Sequence, residues 1–114
     1  MNQSEKKLRQ MLSERIVLLD GAMGTMIQAH KLDERGFRGE RFAKHGKDLK
    51  GCNDLLCLTQ PELITDIHVQ YLEAGADIVE TNTFNSTSVS MVDYRLEPYV
   101  YEMNRAGAEA AKRA

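Results

Sequence analysis

The sequence predicts an α/β fold built on parallel strands, and three observations predict it. Ile16-Val17-Leu18-Leu19 runs straight into Asp20-Gly21-Ala22-Met23-Gly24, and Asp77-Ile78-Val79 runs into Glu80-Thr81-Asn82-Thr83. Each reads as a buried strand with polar groups at its C-terminal end, where α/β proteins place ligand-binding side chains. The third observation is an amphipathic helix between the two. Residues 15 to 80 therefore read strand, long loop, helix, strand, a βαβ unit with parallel, right-handed pairing.

The elements follow in order. Residues 4–14 predict a helix, because Leu8, Met11 and Leu12 fall at i, i+3, i+4 among charges. Strand one spans 15–19. Residues 23–30 form a short helix with Met26, Ile27 and Met23 inward. Residues 33–54 hold four glycines (Gly36, Gly39, Gly46 and Gly51) and many charges, and read as a long surface excursion pinned by Phe37 and Phe42. Thr59-Gln60-Pro61-Glu62 predicts a capping box, with Thr59 at N-cap, Glu62 at N3 and Pro61 in the first turn. Leu63, Ile64, Ile67, Tyr71 and Leu72 make the apolar face of the helix that follows, and Gly75 ends it. His68 falls on this helix at its surface or boundary. Residues 86–95 are ambiguous. A last helix spans 98–113, with Pro98 in its first turn and Val100, Met103, Ala106 and Ala110 inward.

Composition excludes several classes. The 114 residues carry a net charge of -2, with 15 basic residues spread along the chain. No basic block points to nucleic acid or an anionic membrane. The longest of the apolar runs that predict strands, Ile16 to Leu19, is far short of a membrane span. The polar N-terminus lacks a signal peptide's apolar core, so a cytoplasmic location is expected. Cys52 and Cys57 are too few for a disulfide framework and too widely spaced for a zinc knuckle, and read as free thiols. His30, His45 and His68 lack a ligand-like spacing, so no residue is assigned to a metal.

Size sets a limit on the fold. A (β/α)8 barrel takes roughly 250 residues, about 30 per βα unit. The chain supplies an N-terminal helix (1–14) and two βα units (15–114), an incomplete barrel. Two parallel strands cannot cover both of their faces. The chain is therefore expected to be a fragment or one part of a larger assembly, and not to fold stably alone.

The polar ends of the strands carry the chemistry. At Asp20-Gly21 the carboxylate can hold a cationic amino group, and the amides of Gly21 to Gly24 can hold an anionic one, a pairing that suits an amino acid. A plain Asp-Gly turn explains the same residues equally well. Gly21-x-x-Gly24 is neither a dinucleotide fingerprint nor a P-loop. Glu80-Thr81-Asn82-Thr83 reads either as ligand contacts or as a turn and capping network. Asn53-Asp54 reads as a turn. No nucleophile–base pair emerges, so no catalytic residue is assigned.

These same segments resemble a known family. Leu18-Leu19-Asp20-Gly21-Ala22-Met23-Gly24-Thr25-Met26-Ile27-Gln28, Phe37-Arg38-Gly39-Glu40-Arg41-Phe42, Asp48 to Leu56 and Ala74 to Thr87 are together similar to the homocysteine-binding module of cobalamin-dependent methionine synthases. The resemblance implies a (β/α)8 barrel that binds homocysteine as a thiolate on zinc and methylates it from methylcobalamin to give methionine. It also implies partner modules for methyltetrahydrofolate, cobalamin and S-adenosylmethionine. Asp20, Gly21 and Ala22 would then contact the amino-acid end of homocysteine, with Glu80, Thr81 and Asn82 lining the same mouth. The family's zinc cysteines, including a Gly-Gly-Cys-Cys motif, match neither Cys52 nor Cys57. No zinc or cobalamin is therefore expected on this chain alone, and no methyltransferase activity. Two alternatives remain. One is a fragment of a cobalamin-independent homocysteine S-methyltransferase using betaine or S-methylmethionine, against which the excursion from Phe37 to Phe42 argues. The other is a non-catalytic truncated product.

Overall fold

Helices account for nearly all the regular structure in the computed structural model, which describes residues 1–114. In chain order they are α1 (Gln3–Glu14), α2 (Met23–Gln28), α3 (Glu34–Arg38), α4 (Leu56–Thr59), α5 (Pro61–Glu73), α6 (Ser88–Met91) and α7 (Val100–Arg113). Three 3-10 turns at Asn53–Leu55, Val92–Tyr94 and Glu97–Tyr99 link them. No helix is long and apolar enough to cross a membrane.

The α/β expectation, with two βα units of a (β/α)8 barrel, is corrected: there is no sheet. The two predicted strands meet at one isolated parallel bridge, Leu19 to Ile78. The hydrogen bonds show why it goes no further. Ile78 N–H donates to Leu18 O at 3.2 Å and Asp20 N–H donates to Ile78 O at 2.9 Å, as a parallel pair requires. At either end a carboxylate takes over. Leu18 N–H donates to Asp77 Oδ2 at 3.0 Å, and Glu80 N–H donates to Asp20 Oδ2 at 3.1 Å. The backbone ladder is thus capped on both sides. The expected burial fails too: Ile16, Leu18 and Leu19 are 83%, 53% and 59% exposed. With no third strand or covering helix on that side, nothing removes them from water.

Asp77 also fastens the start of this segment. Arg15 donates to both of its oxygens at 2.7 Å. The Arg15 hydrogen bond, helped by the Leu18 amide, holds the Asp77 carboxyl at about 2.

The core lies elsewhere. Fourteen buried apolar residues form one cluster, with Leu55, Leu56, Ile64, Ile67 and Met103 among its fully enclosed members. Helix α5 packs on α7 and both pack on α4. The long excursion closes onto this core as expected, with Phe37 and Phe42 buried. It is tied by Glu34, whose carboxylate accepts from Leu49 N, Lys50 N and Arg38 Nε. Burial alone would raise the Glu34 pKa, but these bonds outweigh it and lower it.

Two local readings change. Helix α5 begins at Pro61 with Gln60 as its N-cap and no capping side chain. Thr59 belongs to α4, and its hydroxyl donates to Leu55 O at 3.4 Å, so the capping box does not form. His68 is fully enclosed rather than at the surface. Gly75 does end α5 at φ +112°, a backbone that favours glycine. The last helix starts as a 3-10 turn holding Pro98 and becomes α-helical at Val100. Helix α1, capped by Asn2 on the Glu5 amide, buries no residue.

Candidate functional site

The turn after Leu19 and the segment after Val79 leave the bridge side by side, so their polar residues converge. They border one cleft of about 350 Å³. All six residues singled out from the sequence lie on it: Asp20, Gly21, Ala22, Glu80, Thr81 and Asn82. The pairing that ends the ladder brings them together, since the bond from Glu80 N–H to Asp20 Oδ2 spans the two segments.

Each part of the rim has its own support. Tyr71 on α5 holds the 20–22 turn from behind, its hydroxyl donating to Ala22 O at 2.8 Å. A Cβ at Gly21 would lie 3.1 Å from the Tyr71 ring and hydroxyl, so glycine lets the turn approach the helix. Asn82 is 7% exposed. Its Nδ2 donates to Asn53 O at 2.8 Å, and its backbone carbonyl accepts from Cys57 Sγ at 3.3 Å. Thr81 and Thr83 share a hydroxyl contact of 2.7 Å.

Asn53 and Asp54 also border the cleft. They do form a turn, as expected, but the turn builds the site. Asp54 is 4% exposed, and its Oδ2 accepts from Asn85 N–H and Ser86 Oγ, both at 2.9 Å. Sequence reasoning missed this role. The signal was a carboxylate directly before Leu55-Leu56, two residues that had to be buried. Phe84, on the outer lip, is 95% exposed.

The electrostatics are one-sided. Asp20, Asp54 and Glu80 face the cleft, and no lysine, arginine or histidine lines it. Such a recess favours a cationic group, with amides and hydroxyls beside it for a polar partner.

No three His, Cys, Asp or Glu residues gather where they could hold a metal ion. Burial pushes the thiols of Cys52 and Cys57 up to about 11, so neither is a ready thiolate. Cys57 is occupied by Asn82, and Cys52 contacts Met91 Sδ at 3.9 Å. His45 Nε2 pairs with Tyr94 O at 2.8 Å.

Fold and cleft together define a helical domain with an acidic, amide-rich recess. A family model described as homocysteine S-methyltransferase matches residues 17–114. The chain belongs to the homocysteine S-methyltransferase family.

Proposed function

We propose that this chain contributes part of the homocysteine site of a methionine synthase, the enzyme that methylates zinc-bound homocysteine from methylcobalamin. One observation carries the reading of the site: the six residues converge on a cleft whose only charges are carboxylates. Asp20 holds the substrate's ammonium group, with Glu80 adding to the negative field. Gly21 and Ala22 bring backbone close to the amino-acid end, and Thr81 and Asn82 offer a hydroxyl and an amide to its polar atoms.

The chemistry at sulfur draws on groups outside these residues. A sulfur nucleophile must be ionised near neutral pH, and the two thiols and three histidines here assemble no site for the zinc that would do this. Folate, cobalamin and S-adenosylmethionine modules complete the activity on this reading. The tethered excursion from Phe37 to Phe42 favours it over a betaine- or S-methylmethionine-dependent enzyme.

Titration of the ¹⁵N-labelled chain with homocysteine, without zinc, tests the proposal. Weak saturable shifts are expected at the amides of Gly21, Ala22 and Glu80, lost in Asp20→Asn. 4-Mercaptobutyrate, which lacks the amino group, is expected to leave them unmoved. Equal responses to both compounds, or an unaffected Asp20→Asn variant, would overturn the assignment of Asp20 to the ammonium group.

A further inference from the structure

We propose that a second recess, next to the cleft along α2, binds a small organic anion: a carboxylate or phosphate group carried on an apolar body. The recess has a volume of about 390 Å³, within the range of small-molecule sites. Its floor is apolar, formed by Ile27 and Phe37, which are 2% and 5% exposed, with Leu32 beside them. Its charged residues are Lys31 and Lys50, with no carboxylate among the lining residues. Neither lysine enters any of the chain's ion pairs.

The two lysines come from separate segments, each held by the backbone. Lys31 sits at φ +51°, in the left-handed region that residues other than glycine rarely adopt. Its amide donates to Gln28 O at 3.0 Å. Lys50 is set by the bond from its own amide to Glu34 Oε1 at 2.9 Å, and Gly51 follows at φ +93°. That bond engages the nearby Glu34 carboxylate, which Arg38 also neutralises at 2.6 Å. Two cations over a greasy floor suit a molecule that pairs its anion with the ammonium groups and buries its hydrocarbon.

Position ties this recess to the first. Met23 and Gly24 border the acidic cleft, Ile27 and Gln28 border the basic recess one helical turn later, and Asn53 borders both. The Cβ position of Gly24 lies 3.8 Å from Asn53 Nδ2, so the helix runs close past the divider. The result is two adjoining recesses that share Asn53, one lined by carboxylates and the other by lysines. An anion is repelled from the first compartment and drawn to the second, whatever occupies the acidic one.

Phenyl phosphate, titrated into the full ¹⁵N-labelled chain, tests the proposal, with the amides of Gln28, Gly51 and Asn53 as reporters. Saturable binding is expected, weakened about five- to tenfold in Lys31→Gln and in Lys50→Gln and lost in the double variant. Both side chains lie at the rim, and unchanged far-ultraviolet circular dichroism checks that the variants fold. Benzoate, run in parallel, separates a carboxylate from a phosphate preference, and lysine-dependent saturation by either supports the site. Asp20→Asn is expected to leave this binding intact, which separates it from the homocysteine reading. Non-saturating shifts, or unchanged affinity in the lysine variants, would refute the proposal. So would inorganic phosphate binding as well as phenyl phosphate, which marks exposed lysines only, or benzyl alcohol doing so, which marks the apolar floor only.

Discussion

Among single residues, His68 and Asp54 show opposite treatments of a buried polar group. Both ring nitrogens of His68 lack a hydrogen-bond partner. Burial pushes its pKa below the ordinary 6.5, while the Asp20 carboxylate pulls weakly upward. The unfolded chain therefore takes up the proton first as pH falls. Stability is full above 6.5 and declines below it. His68→Leu removes both the unpaired nitrogens and the titration. Its melting temperature is expected to equal or exceed that of the parent at about pH 7.5 and to fall less on acidification to about pH 5.5. Thermal melts at the two values check this. Asp54 is the satisfied case. Asp54→Ala strands two donors and is expected to cost about 2–4 kcal/mol in urea unfolding. Sequence made Asp20 and Glu80 conspicuous, because each follows an apolar run. The helical spacing puts His68 within the arc of Ile64, Tyr71 and Leu72, but sequence could not show that an imidazole would be enclosed there without a partner. Nor could it show that Asp54 folds under the site, which depends on Asn85 and Ser86 thirty residues on.

The elements divide by the range of the forces that form them. Helices α1, α5 and α7 are legible because their periodicity, Pro61 and Gly75 act within a few residues. The sheet was misread because strand propensity says nothing about partners: the same apolar runs end as one bridge once Asp20 and Asp77 accept the flanking amides. The capping box failed for a related reason, since α4 claims Thr59 first. Tight packing of α7 gives the prediction at this scale. A Cβ on Gly107 would sit 2.5 Å from Thr83 Cγ2 and 3.5 Å from Cys57 Sγ. The hydroxyl contact with Thr81 holds that threonine in place. Alanine gains about 1 kcal/mol of helix propensity, but the overlap is expected to cost more, giving a net loss of about 1 kcal/mol. Chemical denaturation of Gly107→Ala measures it, and a stabilised variant would show that Thr83 yields freely.

Across the whole molecule, shape follows from where the core is. The radius of gyration is 15.7 Å and the longest extent 51 Å. A compact chain of this length has a radius of about 13 Å. Helix α1 buries nothing, and the segment joining it to the body leaves Ile16 83% exposed. Local stability should therefore be uneven. Deuterium exchange is expected to be fast throughout α1 and slowest in α5 and α7, and equal protection of α1 would contradict this division. The core itself was readable: Phe37, Phe42, Ile64, Ile67, Met103 and Ala110 were all expected inside and are.

The carboxylate-capped bridge sets an order of assembly. Its contacts join residues 60 and 62 positions apart, from Glu80 to Asp20 and from Asp77 to Arg15. Closing a loop of that length costs roughly 3–4 kcal/mol in chain entropy, beyond a constant term. Seven hydrogen bonds cross between the two segments, but none can form until the segments meet, and the buried core, which joins Ile27 and Phe37 to α5 and α7, is what draws them together. The cleft is thus expected to form late in folding, after the rate-limiting step. In stopped-flow experiments Asp20→Asn is expected to leave the refolding rate unchanged and to put its whole effect into faster unfolding.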